Sequence, residues 1–133
     1  MMATIFEPEA TGLPVYVIFN CEKEFGWIFQ ILREKDIVNI GITKDYGGIE
    51  PAGRFNWDKV LPIYVSNHPL ALVSGNLLAD EIPGETVCLM FSQQEMEEVI
   101  KFIKRNQQVI EQHWYGEIDD LKLHKSINYN KKA

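Results

Sequence analysis

The chain contains residue types that support nucleophilic catalysis, but their neighbours do not activate them. Cys21 precedes Glu22, and an adjacent carboxylate disfavours the thiolate that would act as the nucleophile. Cys88 lies in an apolar run, where a thiol packs as a small hydrophobic group. Ser74-Gly75 lacks the flanking glycine of a nucleophile elbow. We therefore predict no catalytic residues, while an enzyme built from scattered side chains stays open as an alternative.

A metal site is the second chemistry to consider, because His113 is followed by Glu117, Asp119 and Asp120. Zinc sites need three or four converging ligands, and closely spaced histidines or cysteines usually indicate them. Here a single histidine precedes acids that lie beyond a glycine, so we expect the acids to cap and solvate the helix end. The sequence also contains neither a P-loop nor a dinucleotide fingerprint. We predict no metal and no cofactor.

A turn-rich segment, 45–58, carries the polar and aromatic side chains that are best placed for contacts. Asp45, Tyr46, Arg54 and Trp57 lie beside glycine and proline turns, and loops commonly carry binding residues. The alternative for Trp57 is a lid packed over a sheet, because large aromatic side chains bury area wherever they can. We predict that these four residues contact a ligand or a partner. The alternative function is an enzyme or a small-molecule-binding protein, and its pocket would lie under this loop.

The charge balance disfavours nucleic acid as a general partner. The net charge is −6, and a surface of that sign repels phosphate backbones. Two local clusters of cations are present, and neither is interleaved with aromatic residues suited to base stacking: Lys101, Lys104 and Arg105, and the tail residues Lys122, Lys125, Lys131 and Lys132. A nucleic-acid regulator acting through the first cluster is a third hypothesis.

Length and composition indicate one folded domain over residues 1–133. The mass of 15.4 kDa is enough to bury a core without metal or disulfide support. Two cysteines do not make a disulfide framework, which favours a reducing cytoplasm. No apolar run approaches the roughly 18 residues of a membrane span, so we predict no membrane partner.

The segment from Ser92 to Trp114 is the clearest element, because it contains its own helix start signal. Ser92 and Glu95 have the spacing of a capping box, in which each side chain bonds the backbone N–H of the other. Gly116 follows as a stop signal. The helix carries one apolar stripe, with spacings of three, four and seven: Met96, Ile100, Ile103, Ile110 and Trp114.

Two polar residues, Asn106 and His113, lie along one edge of that stripe, two helical turns apart. Their Cα atoms are therefore separated by about 10 Å, too far to share a proton or a metal. We expect them to pack at the rim of the core and to bond loop backbone, in preference to forming a polar pocket between helix and sheet.

Alternating and β-branched patterns predict strands over 13–19, 37–43, 60–65, 70–78 and 86–91. The segment 22–36 fits two interpretations. Its aromatic and β-branched content favours a strand, whereas its acids-first, bases-last order favours a helix, and we prefer the strand.

These elements predict an α+β fold. We expect a mostly antiparallel sheet of about five strands, covered on one face by the long helix. The helix stripe would pack on Val15, Val17, Val38, Ile40 and Leu89. A short final helix, capped by Asp119 or Asp120, would follow. We expect residues 1–12 to form a lead-in and residues 128–133 a frayed tail.

The end of the long helix, Asn106 to Trp114, resembles the closing helix of several small bacterial domains of unknown function. Those helices combine asparagine, acidic or amide residues, an aliphatic pair and tryptophan, and some of the domains lie near toxin–antitoxin or mobile-element loci. The resemblance implies no functional residues.

The absence of a catalytic signature, the acidic surface and the surplus of aromatic residues favour a non-enzymatic interaction domain. We expect it to act as a dimer or as an accessory subunit bound to a protein partner.

Overall fold

The computed structural model describes residues 4–20, 27–44, 60–67, 69–71 and 91–132. These contain five strands and four helices. In chain order the elements are β1 (Thr4–Phe6), α1 (Pro8–Thr11), β2 (Tyr16–Phe19), α2 (Trp27–Glu34), β3 (Asn39–Thr43), β4 (Leu61–Tyr64), β5 (Leu70–Ala71), α3 (Gln93–Trp114) and α4 (Asp120–Lys132). The predicted α+β class with an antiparallel sheet and a long C-terminal helix is confirmed.

The described strands form one antiparallel sheet in the order β1-β2-β3-β4-β5. Phe6 pairs with Val17, Val17 with Ile42, and Ile42 with Leu61, so these four side chains share one face of the sheet. All four belong to the same hydrophobic cluster as the buried side chains of α3. Four of the predicted packing partners of α3 are in this cluster, and Leu89 lies outside the described residues: Val15, Val17, Val38 and Ile40.

The opposite face of the sheet is buried as well. Ile18, Gly41 and Pro62 are paired neighbours on that face, and each is buried. Ile18 is 0% exposed, yet it lies outside the cluster that contains α3. Leu32 of α2 is also 0% exposed and also lies outside that cluster. The domain therefore has apolar packing on both sides of its sheet.

The predicted capping box of α3 is confirmed. The Glu95 backbone N–H donates to Ser92 Oγ at 3.1 Å, and the Ser92 backbone N–H donates to Glu95 Oε1 at 2.7 Å. Burial raises the pKa of the Glu95 carboxyl, but hydrogen bonds from Lys44 and Ser92 outweigh it and hold the pKa below its usual value. Gly116 ends the helix in the left-handed conformation, as predicted.

The buried face of α3 differs from the predicted stripe at one position. Met96, Ile103, Ile110 and Trp114 are buried as expected, whereas Ile100 is half-buried. The centre of the buried face is displaced because three other apolar residues and two polar ones lie on it: Val99, Phe102, Val109, Asn106 and His113. The predicted stripe omitted these three apolar residues, and an apolar pattern cannot include the two buried polar ones.

The preference for a strand over 22–36 is wrong, because the structure has helix α2 over the described part of that segment. The charge order favoured the helix, and Arg33 indeed occupies the last turn, where the helix dipole favours a cation. Asp36 then ends the helix with a φ of 56°. Its N–H bonds the Arg33 carbonyl and the Ile37 N–H bonds the Leu32 carbonyl, which is the hydrogen-bond pattern of a Schellman motif.

The chain ends are more regular than the predicted lead-in and frayed tail. Residues 4–6 form the edge strand β1 and residues 8–11 form the single-turn α1, although neither is long enough to show a period in the sequence. Residues 128–132 continue α4, and the Lys131 ammonium donates to the Glu9 carbonyl at 3.0 Å. The predicted strand 86–91 lies outside the described residues except for Phe91, and 70–78 is described only as far as Ala71.

The C-terminal ends of α2 and α3 are joined by a cluster around Trp114. The Asp36 carboxylate accepts from Trp114 Nε1 at 3.1 Å and from the Tyr115 hydroxyl at 3.0 Å. Arg33 lies 4.1 Å from the centre of the Trp114 ring and donates to the Trp114 carbonyl. The hydrogen bond to Asp36 raises the pKa of the Tyr115 hydroxyl. One left-handed aspartate thus connects two helix ends.

We predict that Asp36→Ala lowers the free energy of unfolding by about 2 kcal/mol, because it leaves the buried Trp114 Nε1 without an acceptor. Asp36→Asn should cost less than half as much, since asparagine keeps an acceptor oxygen and tolerates the left-handed conformation. Urea unfolding followed by tryptophan fluorescence measures both changes. An alanine variant as stable as the wild type would contradict the prediction.

Candidate binding groove

The four residues predicted from sequence to contact a ligand or partner lie outside the described residues: Asp45, Tyr46, Arg54 and Trp57. Their assignment, and the pocket proposed under the 45–58 loop, therefore stay predictions. Within the described residues, a cavity lies elsewhere, between the two C-terminal helices α3 and α4.

Helix α4 folds back on α3 because its start is capped and one of its faces is apolar. Asp119 is the cap residue, and its side chain accepts from the Lys122 backbone N–H at 2.8 Å. This confirms one of the two predicted caps. Leu123 and Ile127 are buried in the same cluster as α3, and they hold the inner face of α4 against the core.

Buried polar side chains join the two helices. Asn106, which is 2% exposed, donates to the Phe102 carbonyl at 2.9 Å and accepts from Asn130 Nδ2 at 2.7 Å. His113, which is 4% exposed, has its Nε2 2.7 Å from Asp120 Oδ1. The prediction that Asn106 and His113 pack at the rim and bond loop backbone is wrong: both are buried, and both reach side chains of α4.

The His113–Asp120 pair accounts for two of the residues that were considered for a metal. The hydrogen bond from His113 holds the pKa of the Asp120 carboxyl below its usual range, and Thr4 adds a further hydrogen bond. Across the described part of the chain, no three histidine, cysteine or acidic side chains are grouped so that they could hold a metal ion. The pair therefore links the buried His113 of α3 to the exposed Asp120 at the start of α4.

The groove beside these links has a volume of about 640 Å³ and opens to solvent. Residues of α3 form one wall, and residues of α4 form the other. Asn106, Val109 and Asn130 contribute the part of the lining that is most buried. The rest of the lining is polar or aromatic: Arg105, Gln108, Gln112, Lys122, Lys125, Ser126 and Tyr129. A volume of this size suits a small molecule or a few residues of a peptide.

Every charged side chain that lines the groove is a cation. Arg105 stands on the α3 wall, and Lys122 and Lys125 stand on the α4 wall, all of them exposed. Among the described residues, none of the three makes an ion pair. In a protein with a net charge of −6, this concentration of positive charge creates a local field that attracts anions.

The structure regroups the cations that the sequence placed in two clusters. Arg105 faces Lys122 and Lys125 across the groove, while Lys101 and Lys104 are outside its lining. The grouping depends on how α4 folds back, so the sequence order did not reveal it. The one available signal was the spacing of three and seven that places Lys122, Lys125 and Tyr129 on one face of a helix.

Lys122 occupies a position that local helix chemistry disfavours. It is the third residue of α4, where the positive end of the helix dipole repels a cation. After a cap such as Asp119, glutamate or glutamine is the residue that completes a capping box at this position. Lys125 follows on the same face and adds like-charge repulsion. The charges of the groove are therefore present at a cost to helix stability.

We predict that Lys122→Glu raises the free energy of unfolding by about 0.5–1 kcal/mol, because it removes the dipole repulsion and supplies the missing capping acceptor. Lys122→Gln should give a smaller increase, since it supplies the acceptor and removes the repulsion but adds no negative charge at the helix start. Thermal unfolding monitored by circular dichroism measures the difference. A glutamate variant less stable than the wild type would show that Lys122 makes a stabilising contact.

We predict that Asp120→Asn lowers the free energy of unfolding by about 1 kcal/mol near neutral pH, through the loss of the charged partner of His113 and of a favourable first-turn acid. The pKa of the Asp120 carboxyl is lowered in the folded state. The contribution of Asp120 to stability is therefore complete above its unfolded-state pKa near 4 and is lost as the pH falls through its folded-state pKa. The two proteins should therefore converge in stability as the pH falls below the folded-state pKa of Asp120. Urea unfolding at a series of decreasing pH values measures this, and a difference that does not shrink as the pH falls would contradict it.

No family model matches this chain, and no curated protein or solved structure does either. The resemblance of Asn106–Trp114 to the closing helix of small bacterial domains thus stays a prediction. None of the helices in the described ranges combines the length and apolar character needed to cross a membrane. The geometry of the α3–α4 groove is accordingly the observation on which a functional proposal depends.

Proposed function

We propose that this protein is a small non-enzymatic interaction domain and that it binds another protein chain through the outer surface of the α3–α4 hairpin. The observation that carries the proposal is the position of its exposed apolar side chains. Among the described residues, the exposed large hydrophobic side chains are Tyr115, Leu121 and Tyr129, which are 53%, 62% and 74% exposed. All three lie on the hairpin, at the end of α3 or on α4.

The chemistry around these side chains supports a protein partner. Tyrosine and arginine are enriched in protein interfaces, and Tyr129 and Arg105 line the same groove. The groove lining contains no carboxylate, cysteine or histidine, and its lysine and tyrosine side chains are exposed to solvent. Seven apolar side chains of α3 belong to the core cluster, which supports α3 as a scaffold covering one face of the sheet: Met96, Val99, Phe102, Ile103, Val109, Ile110 and Trp114.

The partner is either a second copy of the chain or another protein to which this one is an accessory subunit. The bacterial domains that the end of α3 resembles support a bacterial setting. The two cysteines, one of them in an apolar run, support the reducing cytoplasm. The proposal therefore includes a bacterial source and a cytoplasmic location.

The test uses the full chain with Leu121→Asp and Tyr129→Ser. Both side chains are exposed, so the double variant should fold as well as the wild type. Light scattering should show that the wild type, purified alone or isolated from its own cells, has a mass above the 15.4 kDa of a single chain. The double variant should return to the single-chain mass, because its apolar contacts are replaced by polar ones.

The matched control introduces the same two side chains on α3, outside the groove lining, as Lys101→Asp and Lys104→Ser. This control should keep the assembly of the wild type. A wild-type protein that is a monomer both when purified alone and when isolated from its own cells would overturn the proposal. So would an equal loss of assembly in the control.

A further inference from the structure

We propose that the α3–α4 groove binds an acidic peptide segment of the partner, through the carboxylates of its aspartate or glutamate side chains. This inference rests on the proposed function and specifies the chemistry of the partner. It is carried by charge complementarity: three cations line a single groove from both walls, and no acidic residue accompanies them.

The cations of the groove are free to bind an external anion. Arg105, Lys122 and Lys125 make no ion pair with any other described residue. The guanidinium group of Arg105 can donate two parallel hydrogen bonds to one carboxylate, whereas each lysine acts as a point charge. Gln108 and Gln112 add amide donors to the α3 wall. The groove thus offers donors of several geometries to a row of carboxylates.

The unfavourable position of Lys122 supports a binding role for its charge. A lysine in the first turn weakens α4, and Lys125 on the same face weakens it further. Departures from local stability rules are concentrated at functional sites, because binding and stability place different demands on the same residue. The two lysines fit that pattern, since both line the groove and both are exposed.

The dimensions of the groove suit an extended segment. Along α4, Lys122 and Lys125 are about 4.5 Å apart, and Lys122 and Tyr129 are about 10.5 Å apart. An extended peptide advances about 3.3 Å per residue, so three or four residues span that length. Carboxylates near the two lysines would place a following apolar residue beside Tyr129, whose ring is exposed. An acidic segment that also contains leucine or a similar residue matches both features.

A nucleic acid fits the same surface less well. The protein as a whole carries a charge of −6, which repels an extended polyanion more than it repels a short peptide. Tyr129 is the one aromatic residue that lines the groove, whereas single-stranded nucleic acids are usually bound by several stacking rings. Lys101 and Lys104, which would extend a phosphate-binding track along α3, do not line the groove.

The experiment measures binding of a fluorescein-labelled peptide of glutamate and leucine to the full chain by fluorescence anisotropy. Two double variants are compared, Lys122→Glu with Lys125→Glu and Lys101→Glu with Lys104→Glu. Each exchanges two lysines for two glutamates and therefore changes the net charge equally. The groove variant should lose about tenfold or more in affinity, and the second variant less than about twofold. Because Lys122→Glu is predicted to stabilise the fold and Lys125 is exposed, the groove variant should be folded, and circular dichroism checks this for both double variants.

Three competing ligands determine what the groove recognises. A peptide with glutamine in place of glutamate should bind at least about tenfold more weakly, and inorganic phosphate and oligothymidylate should not displace the acidic peptide. Equal binding of the glutamine peptide would overturn acidic recognition and leave the proposed interaction domain intact. Displacement by oligothymidylate, with loss in the Lys101→Glu and Lys104→Glu variant, would assign a nucleic acid instead. Displacement by phosphate would show that the groove binds anions in general and would overturn specific recognition of an acidic peptide.

The outcome separates this inference from the proposed function. Light scattering could still show an assembly that depends on Leu121 and Tyr129 although neither peptide binds. In that case the proposal of an acidic peptide is wrong, and the proposal of an interaction domain is retained. If neither peptide binds and the chain is a monomer from every source, both proposals fail. Binding of the acidic peptide that responds equally to both double variants would also overturn the groove as its site.

Discussion

Two polar side chains on the buried face of α3 impose the constraint on which the C-terminal half of the molecule depends. Asn106 and His113 are buried, and a buried polar group without a partner costs about 1–3 kcal/mol. Helix α4 supplies a partner for each, in Asn130 and Asp120. These bonds determine how α4 lies along α3. The groove follows from that arrangement, because these links fix the position of one wall relative to the other. Ser126, a small residue, lines the α4 wall.

The elements that the sequence predicted well are those that neighbouring residues in the chain define. The capping box at Ser92 and the glycine at 116 delimit α3, and alternating apolar residues identify β2, β3 and β4. Helix α2 was the less favoured of two interpretations, because the aromatic and β-branched content of 22–36 is typical of a strand. Its end gave no glycine signal either, since an aspartate takes the left-handed position there. Strand β1 was missed because three residues are too few to show a period.

The candidate groove could not be predicted as a unit, because its walls come from two helices that meet only in the folded chain. Arg105 stands next to Lys104 in sequence, yet it lines the groove with Lys122 and Lys125. Asn106 and His113 were recognised as polar residues on an apolar face, but their partners lie seven or more residues further along the chain. The chemistry of the individual residues was visible in the sequence. Their juxtaposition depends on the tertiary fold.

Lys122 has a consequence for anyone who would engineer this protein. A redesign that optimised every helix separately for capping and dipole would replace this lysine with glutamate. The product would resist heat better and would carry an acid in the wall of a basic groove. Scores based on stability would rank that change as an improvement. For this domain, a position at which such a redesign and the natural sequence disagree is therefore one to test for binding before it is changed.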